Sequence, residues 1–157
     1  PLLNYKSDLD KQLISPKLDI IDSVMPSPNA TMAKNLFNLG EYFHSDSYIR
    51  QAREMLFYLK PTIHKSPIYF AKWLELMIWF VYPPYEVAIV GKKSEEFKER
   101  FQFIYHPGLV LGGGMHEGNL PMLKNRFKLG QTKIYICQGR VCQEPLNNVD
   151  DAIRQIS

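Results

Sequence analysis

The chain's two cysteines, Cys137 and Cys142, are its best-equipped residues for covalent chemistry, with four residues between them in Cys-Gln-Gly-Arg-Val-Cys. A redox pair is commonly spaced C-x-x-C at a helix N-terminus, where the local field lowers the thiol pKa. This pair instead ends an apolar, strand-like run, Lys133 to Cys137, and Gly139 suits a reversal that would bring the two Cβ atoms within disulfide reach. Reduced structural thiols are the first expectation, because disulfides are rare in reducing compartments. A disulfide or redox pair is the second. A metal site is the third, since no second cysteine pair and no neighbouring histidine completes a zinc set. Arg140 is the only cation close by in sequence and no helix starts directly after either thiol, so neither is expected to be strongly acidic.

Other candidate chemistry is weaker. Gly112-Gly113-Gly114 is followed by Met115-His116-Glu117 and lacks the Lys-Ser/Thr of a phosphate loop, so a flexible loop is expected. His116 and Glu117 read as solvated loop residues, with no third group to orient an acid–base pair. Trp73 and Trp79, on an apolar helix, read as core rather than as a sugar platform. No cofactor or metal set is assigned.

The elements that would position these residues follow from periodicity. Residues 1–28 are irregular, with Pro26-Ser27-Pro28-Asn29 as turn chemistry and Leu13-Ile14 as a short apolar cluster. Stripes at i, i+3 and i+4 predict three antiparallel helices near 30–44, 47–60 and 67–81, with Asn29 capping the first and Pro61 ending the second. Leu36, Phe37, Leu56, Leu74 and Ile78 are expected in one core. The third helix is apolar nearly all round, which marks a buried element.

After Pro83-Pro84 the period changes. Glu86 to Gly91, Gly108 to Gly112 and Lys133 to Cys137 read as strands, with helices opening at Ser94 and, capped by Asn148, near Val149; residues 119–128 suggest a short helix. The fold class is therefore mixed. Residues 1–84 form antiparallel α-hairpins, and 85–157 a small three-stranded α/β subdomain.

Composition bounds the rest. The 157 residues carry 19 Lys+Arg and 16 Asp+Glu, and their net charge of +3 is too small and too dispersed for a nucleic-acid surface. The longest apolar run, Leu76 to Tyr82, is far short of the ~20 residues of a membrane span. No secretory signal opens the chain, so a cytoplasmic location is expected. The first residue is Pro1 rather than Met, which fits the C-terminal piece of a larger protein.

Two segments carry a more specific signal. They are Asp22-Ser-Val-Met-Pro-Ser-Pro-Asn29, followed by Met32 to Leu36, and Tyr135-Ile-Cys-Gln-Gly-Arg-Val-Cys142-Gln-Glu-Pro145. Together they resemble the C-terminal region of the uncharacterised thioredoxin-domain-containing family that includes the spermatogenesis-associated thioredoxin-like proteins. Ser23 and Pro28 stand where that family usually has glycine. The resemblance implies an N-terminal thioredoxin-like domain and an (α/α)6 barrel like those of N-acylglucosamine 2-epimerases and six-hairpin glycosidases. This chain would hold the last hairpins and the appended α/β piece.

On that resemblance the expected function is sugar binding or sugar modification, with Asp22, Ser27 and Asn29 as candidate catalytic residues at the rim of the cavity. Turn and cap chemistry is the competing reading of those three, and a single carboxylate falls short of the pair that glycoside hydrolysis uses. The alternative function is a non-catalytic structural or interaction module of a thioredoxin-domain protein. Expected partners are the rest of the full-length chain, namely the thioredoxin-like domain and the missing barrel helices, together with a carbohydrate ligand. Neither nucleic acid nor membrane is expected, and an apolar face left open by the missing hairpins predicts self-association.

Overall fold

The structure, a computed structural model, describes residues 2–4, 7, 9 and 18–157. Leu13-Ile14 lies outside the described residues. The described residues form two compact units, which divide after Val81, and the short segment Glu41–His44 belongs with the second. The boundary therefore falls ahead of the expected one at 84/85. Gln138 Nε2 donates to Pro83 O at 2.9 Å, which ties the proline pair to the sheet unit.

The first unit is helical. Helix α1 spans Pro28–Tyr42, α2 spans Asp46–Lys65, and α3 spans Ala71–Val81, preceded by a 3-10 turn at Pro67–Tyr69. Ser27, not Asn29, caps α1. Its Oγ accepts from Ala30 N at 3.2 Å and its carbonyl accepts from Thr31 N at 2.9 Å. Pro28 then takes the first helical position, where its fixed φ fits and its missing N–H has no bond to lose.

Pro61 does not end α2, which runs one turn further to Lys65. Ile63 in that turn is buried, and its packing offsets the hydrogen bond that proline removes. The core joins Ala33, Phe37, Ala52, Leu56, Leu59, Trp73 and Leu76. Of the five residues expected there, Phe37 and Leu56 are buried, and Leu36 and Leu74 pack at its edge. Ile78 is 57% exposed, so α3 buries one face only.

The second unit is a mixed sheet rather than a three-stranded one. Strand β1 (Tyr85–Val90) pairs in parallel with β2 (Leu109–Gly114), and α4 (Ser94–Gln102) makes the crossover that parallel strands require. On its other side β1 pairs antiparallel with β3 (Lys133–Gln138), which pairs antiparallel with β4 (Val141–Cys142), giving the order β2-β1-β3-β4. Helix α5 (Val149–Ile156) closes the chain, with Asn148 Oδ1 accepting from Asp150 N at 2.8 Å as the expected cap.

Alternation sorts the sheet into two faces. Val87, Ile89, Ile134 and Ile136 pack with Phe97 and Phe101 of α4 and with Val149, Ala152 and Ile156 of α5. Ala88, Val90 and Val110 pack with Met122 and Leu123. The latter two belong to a single 3-10 turn, Pro121–Leu123, where a short helix was expected.

Gly112-Gly113-Gly114 is strand, not loop. The reason is space. A Cβ on Gly113 would meet Ile89 O at 2.7 Å, and one on Gly112 would meet Met122 Sδ at 2.8 Å. Among the described residues no helix is long and apolar enough to cross a membrane.

Candidate functional site

The β3–β4 hairpin turns through Gly139 and Arg140, with φ of 57° and 66°. Positive φ at both central residues is the primed two-residue turn, whose twist matches that of the flanking strands. Gln138 pairs with Val141 and Cys137 with Cys142. Gln143 N donates to Ile136 O at 2.9 Å, so the cysteine pair is the non-hydrogen-bonded one, where facing side chains come closest.

Cys137 and Cys142 are joined as a disulfide. This corrects the expectation of reduced thiols: direct cross-strand pairing holds the sulfurs within bonding distance. Cys137 is buried in the sheet and Cys142 is exposed.

The sulfurs have a cation that sequence proximity does not reveal. Arg126, in the segment after the 3-10 turn, donates from Nη2 to Cys137 Sγ and to Cys142 Sγ, each at 3.3 Å. Tyr135 positions it. The Tyr135 hydroxyl donates to Arg126 O at 3.0 Å, and the guanidinium lies 5.1 Å from the Tyr135 ring centroid. Burial pulls the guanidinium below its usual pKa, and the charge of Glu86 acts the other way.

Glu86 lies directly opposite Cys137 in the β1–β3 register, on the same face as the disulfide. Its carboxylate is buried. Oε2 lies 3.2 Å from His44 Nε2, and Oε1 has no hydrogen-bond partner among the described residues. Arg126 Nη1 is likewise buried without one. His44 follows α1 in a left-handed conformation, φ 48°, and its side chain is 31% exposed. Glu41 completes the cluster. Burial, and next the nearby charge of Glu86, raises its carboxyl above the ordinary range.

The other candidates serve the backbone. Asp22 Oδ1 accepts from Ser27 N at 2.8 Å, and Oδ2 from Lys72 N at 2.7 Å. Ser27 Oγ donates to Asp19 O at 2.9 Å while capping α1. Asn29 exchanges hydrogen bonds with Leu3 N and O and donates to Asp19 O. Turn and cap chemistry thus occupies Asp22 and Ser27, while Asn29, expected as the cap, instead ties Leu3 and Asp19 to the start of α1.

Glu117 also holds backbone, accepting from Asn125 N and Phe127 N at 3.1 and 3.2 Å. Trp73 is fully buried, with Nε1 donating to Ile20 O, and Trp79 lies in the same core. Among the described residues no group of three or more His, Cys, Asp or Glu is placed to hold a metal ion.

Comparison with protein-family models, with curated proteins and with solved structures returns no match. The functional reading therefore stands on the site's chemistry.

Proposed function

We propose that the sheet unit is a thiol–disulfide exchange module whose reacting bond is Cys137–Cys142. One observation carries this reading: a single guanidinium donates to both sulfurs of a disulfide with one half exposed and the other buried. When an outside thiolate attacks Cys142 Sγ, the S–S bond opens and its electron pair passes to Cys137 Sγ. Arg126 already donates to that atom, so the new charge meets a positive partner without rearrangement.

A purely structural role explains less. The bond spans five residues of a hairpin that strand pairing already closes. The chain-entropy model allots a loop this short only about 2 kcal/mol, whereas a staple gains most by joining distant segments. Exposed disulfides are also the labile class.

The resemblance to the thioredoxin-domain-containing family supports a dithiol partner within the same larger protein, namely its thioredoxin-like domain. On this reading the helical unit is a hairpin segment of the (α/α) barrel, acting as a structural or interaction module in the cytoplasm. Asp22, Ser27 and Asn29 lend no support to the sugar-modifying alternative, since each is engaged with backbone.

The test is equilibration of the folded chain in glutathione redox buffers, with acid quenching, alkylation and mass spectrometry. A reversible transition with a mixed disulfide confined to Cys142 is expected. A pair that stays oxidised in excess dithiothreitol under native conditions would overturn the reading.

A further inference from the structure

Exchange at Cys142 leaves Cys137 in need of a proton. The thiolate released there is buried, and Arg126 stabilises it without giving up a proton of its own. Water does not reach Cys137 directly, because the residue is 1% exposed. Some group of the chain must carry the proton in and out.

The register identifies that group. Glu86 and Cys137 are directly opposed on antiparallel strands, a relation that sets Cβ atoms about 4.5–5.5 Å apart. Glu86 is as deeply buried as the sulfur. An unpaired buried carboxylate oxygen is costly, and Oε1 is one, while Oε2 is engaged by His44. The His44 ring is partly exposed and meets solvent. The order of groups is therefore Cys137 Sγ, Glu86, His44 and water.

We propose that Glu86 is the acid–base group of the buried thiol and that His44 connects it to solvent. The inference rests on the exchange reading above. In the reducing direction a partner dithiol attacks Cys142 Sγ as its thiolate, and the Cys137–Cys142 bond breaks. Cys137 takes the electron pair, and a proton from water passes through His44 and Glu86 to the new thiolate. The partner's second thiolate then attacks the partner sulfur of the mixed disulfide. Cys142 leaves as a thiolate, is protonated by water, and the partner departs as a disulfide. In the oxidising direction the Cys137 thiol gives its proton to Glu86 before attacking Cys142 Sγ.

Groups facing Glu86 come from each neighbouring segment. His44 and Glu41 lie at the end of α1, Arg126 in the loop after the 3-10 turn, and Cys137 in β3, with Tyr135 beside Arg126. Arg140 of the hairpin acts on Glu41. Among the described residues only His44 is both hydrogen-bonded to the carboxylate and partly exposed, which makes it the exit.

The experiment isolates the second half-reaction. The reduced chain is treated with an aromatic disulfide to place a chromophoric thiol on Cys142. Release of that thiol by Cys137 is then followed by absorbance across pH. In Glu86→Gln release should slow by about a hundredfold, and Glu86→Asp should recover part of the rate. In His44→Gln release should slow as well, because the path from Glu86 to solvent is broken.

Equal release rates and pH profiles in wild type and Glu86→Gln would overturn the relay while leaving exchange intact. No release from the wild type would sink the exchange reading and the relay with it. If Glu86→Gln fails to fold, His44→Gln decides alone: an unchanged release rate overturns the proposal, and a slowed one supports it.

Discussion

Glu86 and Cys137 face each other across the β1–β3 pair, and the same face carries Cys142 directly beyond Cys137. A carboxylate, a buried sulfur and an exposed sulfur thus lie in one row across three strands. A one-residue slip of β1 would turn Glu86 toward the face that holds Ile134 and Ile136 and break the row. The buried apolar neighbours Val87 and Ile89 forbid that slip, so core packing sets the site's geometry.

Arg126 should control thiol reactivity. After reduction, Cys142 is expected to alkylate faster than Cys137, because it is exposed and hydrogen-bonded to the guanidinium. Arg126→Met should slow Cys142 labelling about tenfold at neutral pH, because the cation that favours the thiolate is gone. Labelling kinetics read by mass spectrometry check this; prior labelling of Cys137, or no change in Arg126→Met, contradicts it.

Gly112 and Gly113 of β2 should differ in tolerance. Gly113→Ala pushes a methyl against the backbone oxygen of Ile89, which cannot move without opening the sheet. A loss of roughly 1–3 kcal/mol is expected. Gly112→Ala meets the flexible end of Met122 and should cost less. Adding Met122→Ala should change that cost non-additively, since the two share one contact. Denaturant melts of the single and double variants decide it, and equal costs for the two glycines would count against the geometry.

Glu41 should weaken the fold at neutral pH. Burial, followed by the charge of Glu86, raises its folded pKa above the unfolded value. The folded state then binds the proton more tightly, so stability falls as pH rises from the unfolded pKa through the folded one. Glu41→Gln removes a charged form that is disfavoured above this window. Its melting temperature should exceed wild type at pH 7, by a margin that shrinks on acidification. A variant less stable than wild type at pH 7 contradicts the assignment.

Leu76 and Ile78 should separate the two sides of α3. Leu76 is fully buried, and Leu76→Ala should cost about 2–5 kcal/mol. Ile78 is exposed, and Ile78→Ala should stay within about 0.5 kcal/mol. Thermal melts of both variants test this, and similar shifts would contradict the packing.

Much of the framework was legible in the residues themselves. The cap at Asn148, the strand at Lys133–Gln138, the turn at Gly139 and the cysteines' proximity rest on hydrogen bonds or periods spanning a few residues. Asp22 and Ser27 were equally legible as turn and cap residues. Such local preferences act wherever the chain goes, so the sequence determines them by itself.

The tertiary structure decided the chemistry. Arg126 reaches the sulfurs because Met122 and Leu123 pack under the sheet and Tyr135 takes the following backbone. Glu86 meets Cys137 because β1 pairs antiparallel with β3, and His44 meets Glu86 because the end of α1 belongs to the sheet unit. Gly112–Gly114 became strand, Pro61 stayed inside α2, and Ile78 turned outward for the same kind of reason. Each outcome depends on which distant surface the segment packs against. Periodicity shows that a face is apolar, but only the assembled core selects its partner and sets the register that brings charges and sulfurs together.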